Sequence, residues 1–325
     1  MDSVYEKRKI EEYEEEKKSL HSDDVKKYTD IISTLPKRNC WETTIYQYKG
    51  FWYPHGYVLG MLLSQHNFKP QPNDIILCSF PKSGTTWLKA LASAIVTRSD
   101  LSTFPHDCVP FIEVDEISSP RIPLVASHSS YSSLPPSIAG SGCKIVYICR
   151  DPKDVFVSFW YFLKKFTYVN PENYPSLEQG FELFCQGVIS AGPFWEHVLE
   201  YWKASLEFPD RVLFLVYEDM KKDTVSVVKK LAEFMRYPFS MEEERQGLVQ
   251  KIVKSCSFEA LSNLDVTKNG EQWSNSEFAI PKSSFFRKAE VGDWKNHLTP
   301  EMADRLDQIT QEKLSASGFN FFAHK

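Results

Sequence analysis

The segment with the densest chemistry is FPKSGTTW, residues 80–87. It follows the apolar run DIILCSF (74–80) and precedes a stretch with helical spacing. Gly84 lets the backbone approach a ligand closely. Ser83, Thr85 and Thr86 bring hydroxyls to the start of a helix, where orphan amide donors and the helix dipole favour an anion. Lys82 adds a cation on a flexible stem, able to follow charge as it moves during a reaction. The order differs from the GxxxxGK[ST] nucleotide loop, because Lys82 precedes the glycine. Phosphate binding is the chemistry this pattern suggests. A tight turn that holds no ligand is the competing reading for a single glycine between strand and helix.

Three further segments carry reactive residue types. In YICRDPKDVFVS (147–158) Arg150 leaves a strand end, and its planar fork suits a phosphate. Pairing with Asp151 or Asp154 at the surface is the plainer alternative. SFFRKAEVGDWKN (284–296) places the cations Arg287 and Lys288 side by side. LVASHSSYSSLP (124–135) contains His128, whose imidazole can accept a hydroxyl proton near neutral pH. His55, His106 and His297 read as surface or structural residues. His197, in the aromatic run PFWEHVLEYW, reads as structural.

These residues need a scaffold, and the chain supplies one. It has 325 residues, 42% apolar and 14% aromatic, enough for a sizeable core. Lys and Arg number 38 against 43 Asp and Glu. That net charge of −5 argues against a nucleic-acid coat, so any basic site must be local. No apolar run reaches the length of a membrane helix. The seven cysteines form no CxxC and fit reduced thiols, with neither a disulfide framework nor a metal site expected. The charged N-terminus lacks an apolar leader, so the cytoplasm is the expected compartment. Residues 1–28 read as a charged tail or frayed helix, and 29–325 as one domain. Strands are expected at 74–80, 143–150 and 211–217. Helices are expected at 82–98, from Asp151 and Pro152 onwards, and at 193–206, 223–236, 242–254 and 300–316. Strands alternating with helices predict an α/β domain, a central parallel sheet flanked by helices.

PKSGTTW, with SGCKIVYICRDPKDVFVS, GPFWEHVLEYWKAS and RKAEVGDWK in that order, resembles the cytosolic sulfotransferases, most of all the plant branch. The resemblance runs from about Trp41 to the C-terminus. It implies the sulfotransferase fold and the co-substrate 3′-phosphoadenosine 5′-phosphosulfate (PAPS), with no metal. It assigns Lys82, Ser83, Gly84, Thr85 and Thr86 to the 5′-phosphosulfate. Arg150, Ser158, Arg287, Lys288 and Ala289 fall to the 3′-phosphate, and Trp87, Tyr217 and Phe258 to the adenine. It makes His128 the base and Lys82 the cation at the leaving phosphate, with Ser158 restraining Lys82 until acceptor binds. Two positions depart from the family pattern. Ala289 replaces a glycine, and a left-handed backbone there would be strained. Ala126 stands where animal members often carry a sulfate-binding lysine.

The acceptor side rests on aromatic residues outside these motifs. Phe51, Trp52, Phe80, Phe111, Phe166 and Tyr168 are candidates for a pocket suited to a small, largely apolar molecule with one hydroxyl. The resemblance implies an acceptor among the classes that plant relatives sulfate: flavonoids and other phenolics, steroids, hydroxyjasmonates or desulfoglucosinolates. A P-loop-like nucleotide kinase is the alternative enzyme, with Glu218 and Asp219 as possible magnesium ligands. A PAPS-binding relative without catalysis is the other alternative. KNHLTPEMAD (295–304) only partly matches the family's dimer motif, since Pro300 and Asp304 replace its valine and glutamate. A monomer is favoured over a homodimer, with Pro300 opening a helix capped by Thr299.

Overall fold

In the computed structural model, residues 22–41, 43–115, 117, 121–166, 174–274 and 279–324 are described. A helix α1 (22–33) leads into a small antiparallel meander, β1 (Lys37–Cys40), β2 (Thr43–Tyr48) and β3 (Phe51–Pro54). Helix α2 (His55–Asn67) follows without a linker. The expected boundary at residue 29 falls inside α1. Tyr28 is buried, and its hydroxyl lies 2.9 Å from His66 Nδ1, so α1 is anchored to the body.

The central sheet is fully parallel, in the order β5-β4-β6-β7. Its strands are β4 (Ile75–Ser79), β5 (Leu124–Ser127), β6 (Lys144–Cys149) and β7 (Val212–Val216). Three of them lie within a residue or so of the expected runs. Both faces are buried, as a parallel sheet requires. Ile76 and Cys78 of β4 and Ile145, Tyr147 and Cys149 of β6 belong to one apolar cluster. Ile75, Leu77, Val146 and Ile148 belong to the other. The period of two sends alternate side chains to opposite cores.

Helices cover the two faces. On one side lie α3 (Thr85–Thr97), α4 (Pro105–Cys108), α10 (Thr224–Phe234) and α12 (Leu248–Ser255). On the other lie α6 (Pro152–Leu163), α7 (Leu177–Cys185), α8 (Phe194–Glu207) and α15 (Pro300–Leu314). Short helices α5 (Pro136–Ala139), α9 (Tyr217–Lys222), α11 (Met241–Arg245), α13 (Phe258–Ser262) and α14 (Asp265–Asn269) complete the order. A two-stranded ladder of β8 (Glu271–Gln272) and β9 (Ile280–Pro281) lies near the C-terminal third. Capping follows the sequence signals. Asp151 accepts from Lys153 N with Pro152 in the first turn, and Thr299 accepts from Met302 N with Pro300 in the first turn. The single helix expected over 242–254 is two, α11 and α12. Gly247 sits between them at φ +73°, a left-handed turn that ends the first and opens the second.

Candidate active site

Register builds the site. In β4, Cys78 pairs with Ser127 of β5 and Ser79 with Ile148 of β6, while Cys149 of β6 pairs with Val216 of β7. The four strands therefore end nearly level. The residues just beyond them are Phe80, His128, Arg150 and Tyr217. Ligands of open α/β sheets bind at this carboxyl edge. A cavity of about 710 Å³ opens there.

The loop after β4 turns sharply. Lys82 has φ +68° and Gly84 φ +110°. A Cβ on Gly84 would come within 2.9 Å of the Tyr217 ring and 3.0 Å of Ile148, so glycine is needed for space as well as for φ. Helix α3 has no side-chain cap, and Leu88 N is the first amide to bond back, to Gly84 O at 2.9 Å. The amides of its first turn are the orphan donors that an anion would satisfy. Thr85 Oγ1 lies 2.7 Å from Ser79 Oγ. Thr86 Oγ1 lies 3.0 Å from His106 Nε2. Ser83 is buried, does not line the cavity, and has a hydroxyl with no partner.

Lys82 Nζ rests 3.7 Å from the centroid of Phe162 and 5.6 Å from that of Phe285. Burial, and the nearby Arg150 and Arg287, push its pKa down to about 7. Ser158 lines the same cavity, yet no hydrogen bond joins it to Lys82 among the described residues. The resting partner of the lysine is thus an aromatic face, held by cation–π attraction.

His128 is fixed on three sides. Its N–H donates to Glu113 Oε1 at 2.5 Å, and its carbonyl accepts from His197 Nε2 at 3.2 Å. Its Nδ1 lies 2.7 Å from Ser79 O. A carbonyl can only accept, so Nδ1 carries the proton and Nε2 keeps a lone pair. Burial drives its pKa down to about 3, so the ring is neutral. His197 is structural, as expected, and supports the backbone of His128 while Tyr147 OH donates to its Nδ1 at 2.9 Å.

At the far end, Arg150 Nη2 donates to Glu290 O at 2.6 Å and stands 3.5 Å from Asp154 Oδ2. Asp154 also accepts from Gly292 N and Trp294 N, tying the segment after Arg287 to α6. Arg287 and Lys288 both pair with buried Asp293, at 2.5 and 2.8 Å. Ala289 has φ +54°, the left-handed conformation in which an alanine is strained. Tyr217 OH holds it by donating to its carbonyl at 3.0 Å. Trp87 and Tyr217 meet edge to face at 5.5 Å, and Phe258 meets Phe286 at 5.9 Å; all four rings line the cavity.

The acceptor candidates divide. Phe111 and Phe166 line the cavity, and Phe111 packs against the His128 ring at 4.8 Å. Phe80 does not line it: it is fully buried, edge-on to Phe194 at 5.1 Å and to His197 at 5.6 Å. Phe51 points into the core because strand alternation sends it there with Tyr53, and Trp52 is also off the cavity wall. Tyr168 lies outside the described residues. The wall is instead completed by Trp41, Tyr57, Leu63, Phe159 and Phe162. Glu218 accepts from Asp151 N at 3.0 Å, a bond that holds the β6–α6 turn. The residue that sequence reasoning missed is His106, which lines the cavity between Thr86 and Lys89. Among the described residues, no group of three or more His, Cys, Asp or Glu could hold a metal ion.

The cavity is lined by cations, by one neutral imidazole with a bare nitrogen, and by apolar side chains. Residues 72–318 match the family model described as a sulfotransferase domain. A flavonol 3-sulfotransferase of Flaveria bidentis is 46% identical over 308 residues, covering 89% of this chain and 98% of that protein. Cytosolic sulfotransferase 16 of Arabidopsis thaliana is 44% identical, covering 90% and 92%. The mouse sulfotransferase SULT7A1 complexed with PAP is 27% identical, covers 84% of this chain and 96% of that one, and superposes with a TM-score of 0.68.

Proposed function

The chain belongs to the sulfotransferase family and is a PAPS-dependent transferase, and on that premise we propose that it sulfates a hydroxyl of a small, largely apolar acceptor. The observation that carries this reading is His128 Nε2, a lone pair fixed by the Ser79 carbonyl and set beside Phe111 in the cavity. The residues fit PAPS. The open first turn of α3, with Lys82, Thr85 and Thr86, suits the 5′-phosphosulfate. Arg150, Arg287 and Lys288, with Ser158 beside them, suit the 3′-phosphate. The buried Nε atoms of Arg150 and Arg287 have no partner and add donor capacity there. Trp87, Tyr217 and Phe258 supply faces for the adenine. PAPS supplies the sulfuryl group.

The protein's own residues do the rest. His128 Nε2 accepts the acceptor's hydroxyl proton as the nucleophile attacks. Lys82 and the α3 amides neutralise charge on the departing phosphate oxygen. An anion there also favours the charged form of Lys82, restoring the cation that burial weakens. Ser158 lies one helical turn before Phe162 on α6, so both can bear on Lys82, with the ring as its resting place. The apolar wall suits flat acceptors of the flavonoid or other phenolic, steroid, hydroxyjasmonate or desulfoglucosinolate classes. We take the chain to be a monomer, because Pro300 serves the first turn of α15; elution at twice the monomer mass would reverse that. We also place it in the cytoplasm, as the names of its cytosolic relatives suggest.

Labelled-sulfate transfer to a panel of flavonols, steroids and hydroxy acids tests the activity. In that assay His128→Ala should lower turnover by roughly 1,000-fold, with product-nucleotide affinity unchanged. Lost nucleotide affinity with intact turnover per bound complex would remove His128 as the base.

A further inference from the structure

Behind the cavity wall lies a buried cation that the transfer reading leaves unexplained. Lys89 lies in the middle of α3, fully buried and off the cavity wall. Its ammonium donates to Val109 O at 2.8 Å and lies 3.0 Å from His106 Nδ1. Its third side faces the Phe111 ring, 3.3 Å from the centroid. No carboxylate contacts it among the described residues; burial pushes its pKa down to about 7, a shift that Asp115 and Glu113 nearby only partly oppose. An ammonium buried without a contacting counter-ion is costly. Something else must compensate it.

Donor chemistry shows where the charge is directed. While Lys89 is protonated it has no lone pair, so His106 Nδ1 accepts from it. The imidazole proton then sits on Nε2, which donates to Thr86 Oγ1 at 3.0 Å. A Thr86 hydroxyl that already accepts there has its own hydrogen left to give elsewhere. Thr86 lines the cavity at the open end of α3. His106 is 95% buried, and burial and Lys89 hold its pKa far below the ordinary value, so it stays neutral.

We infer that Lys89 and His106 are positioning residues for the transfer, an ammonium-to-imidazole-to-hydroxyl relay that fixes Thr86 as a donor to the 5′-phosphate. The relay carries part of the lysine's charge to the site without placing a second mobile cation in it. It strengthens as negative charge grows on the leaving phosphate, because linked hydrogen bonds polarise one another. It therefore grips the product nucleotide more firmly than the donor. This inference rests on the reading of Thr86 as a phosphosulfate ligand, and its test separates the two.

The measurement is the calorimetric affinity of the full chain for 3′-phosphoadenosine 5′-phosphate, with melting checked for each variant. His106→Leu and Lys89→Met should each weaken binding about tenfold. His106→Gln, whose amide can accept from Lys89 and donate to Thr86, should stay within about threefold of the wild type. Thr86→Val should cost about tenfold, and adding His106→Leu to it should cost no more than about twofold further. That non-additivity distinguishes a relay from simple packing. A wild-type affinity in Lys89→Met would overturn the relay, even if His106→Leu fails to fold, and so would a tenfold loss in a folded His106→Gln. Additive losses in the double variant would also overturn it. An unchanged Thr86→Val would remove Thr86 from the phosphate site, and the relay with it. A wild-type chain that does not bind the nucleotide would overturn the parent reading.

Discussion

Lys82, Arg150 and Arg287 each lie over an aromatic ring, yet the cations around the cavity differ in their counter-charges. At the loop end, Lys82 has an aromatic face as its neighbour and a pKa lowered to about 7. At the other end, Arg287 and Lys288 both lie on Asp293, and Arg150 lies near Asp154. On the proposed assignment, a carboxylate at the loop would have to be displaced during every turnover, where charge shifts onto the departing phosphate oxygen. At the gripping end a carboxylate keeps the cations in place while the site is empty. The contrast separates a cation that works from cations that hold.

The largest expected effect breaks the first half of that contrast. Lys82→Met should cut turnover by about 100-fold or more, yet leave the thermal shift given by the product nucleotide nearly intact. A nucleotide shift that vanishes along with turnover would make Lys82 a gripping residue like the others.

Asp293→Asn tests the second half. Two cations would lose their shared counter-charge, at a cost of about 1 kcal/mol, because both remain partly exposed to water. The ligand-free protein should melt earlier, and the product nucleotide should raise its melting point more than it does in the wild type. An equal or smaller rise would show that Asp293 does not neutralise the same cations as the 3′-phosphate. The pH dependence has a definite sign. Burial alone would raise the Asp293 pKa, but hydrogen bonds from Lys288, Asn296 and Arg287 outweigh it and hold it well below the ordinary range. Its contribution to stability is therefore present above the unfolded-state value, roughly 3.9, and is lost as the pH falls below it. Asp293→Asn should flatten that part of the acid-unfolding curve.

The smallest effect concerns the segment between the two ends. Ala289→Gly should relieve a left-handed backbone, raising stability by about 0.5–1 kcal/mol and the melting point by about 2 °C. No gain on melting would mean that the bond from Tyr217 to the Ala289 carbonyl already absorbs the strain.

Much of this was legible in the chain itself, for identifiable reasons. β4, β6 and β7 were readable because strands buried on both faces are continuous apolar runs. The turn between β4 and α3 stood out because its hydroxyls, glycine and lysine are contiguous. The meander β1–β3 was not anticipated, since its strands are only 4 to 6 residues long and β1 and β2 lack a clear period. Aromatic content pointed to a pocket but could not say which rings reach it. Phe80 and Phe51 turn inward because backbone direction, not residue type, decides the face. His106 was read as ordinary because its partners lie 17 and 20 residues away and meet it only when α3 packs on α4. Ala289 was flagged at the sequence level as a possible strain, and its φ of +54° makes that strain real.

The level ends of the parallel strands have one more consequence. Phe80, His128, Arg150 and Tyr217 share a common datum, so the donor side is a property of the sheet as a whole. Trp41, Tyr57, Leu63 and Phe166 reach the same cavity from segments that lie outside that sheet. If the proposed assignment holds, two design problems are decoupled: changes in the overlying segments would alter what is modified while the alignment at the strand ends is kept.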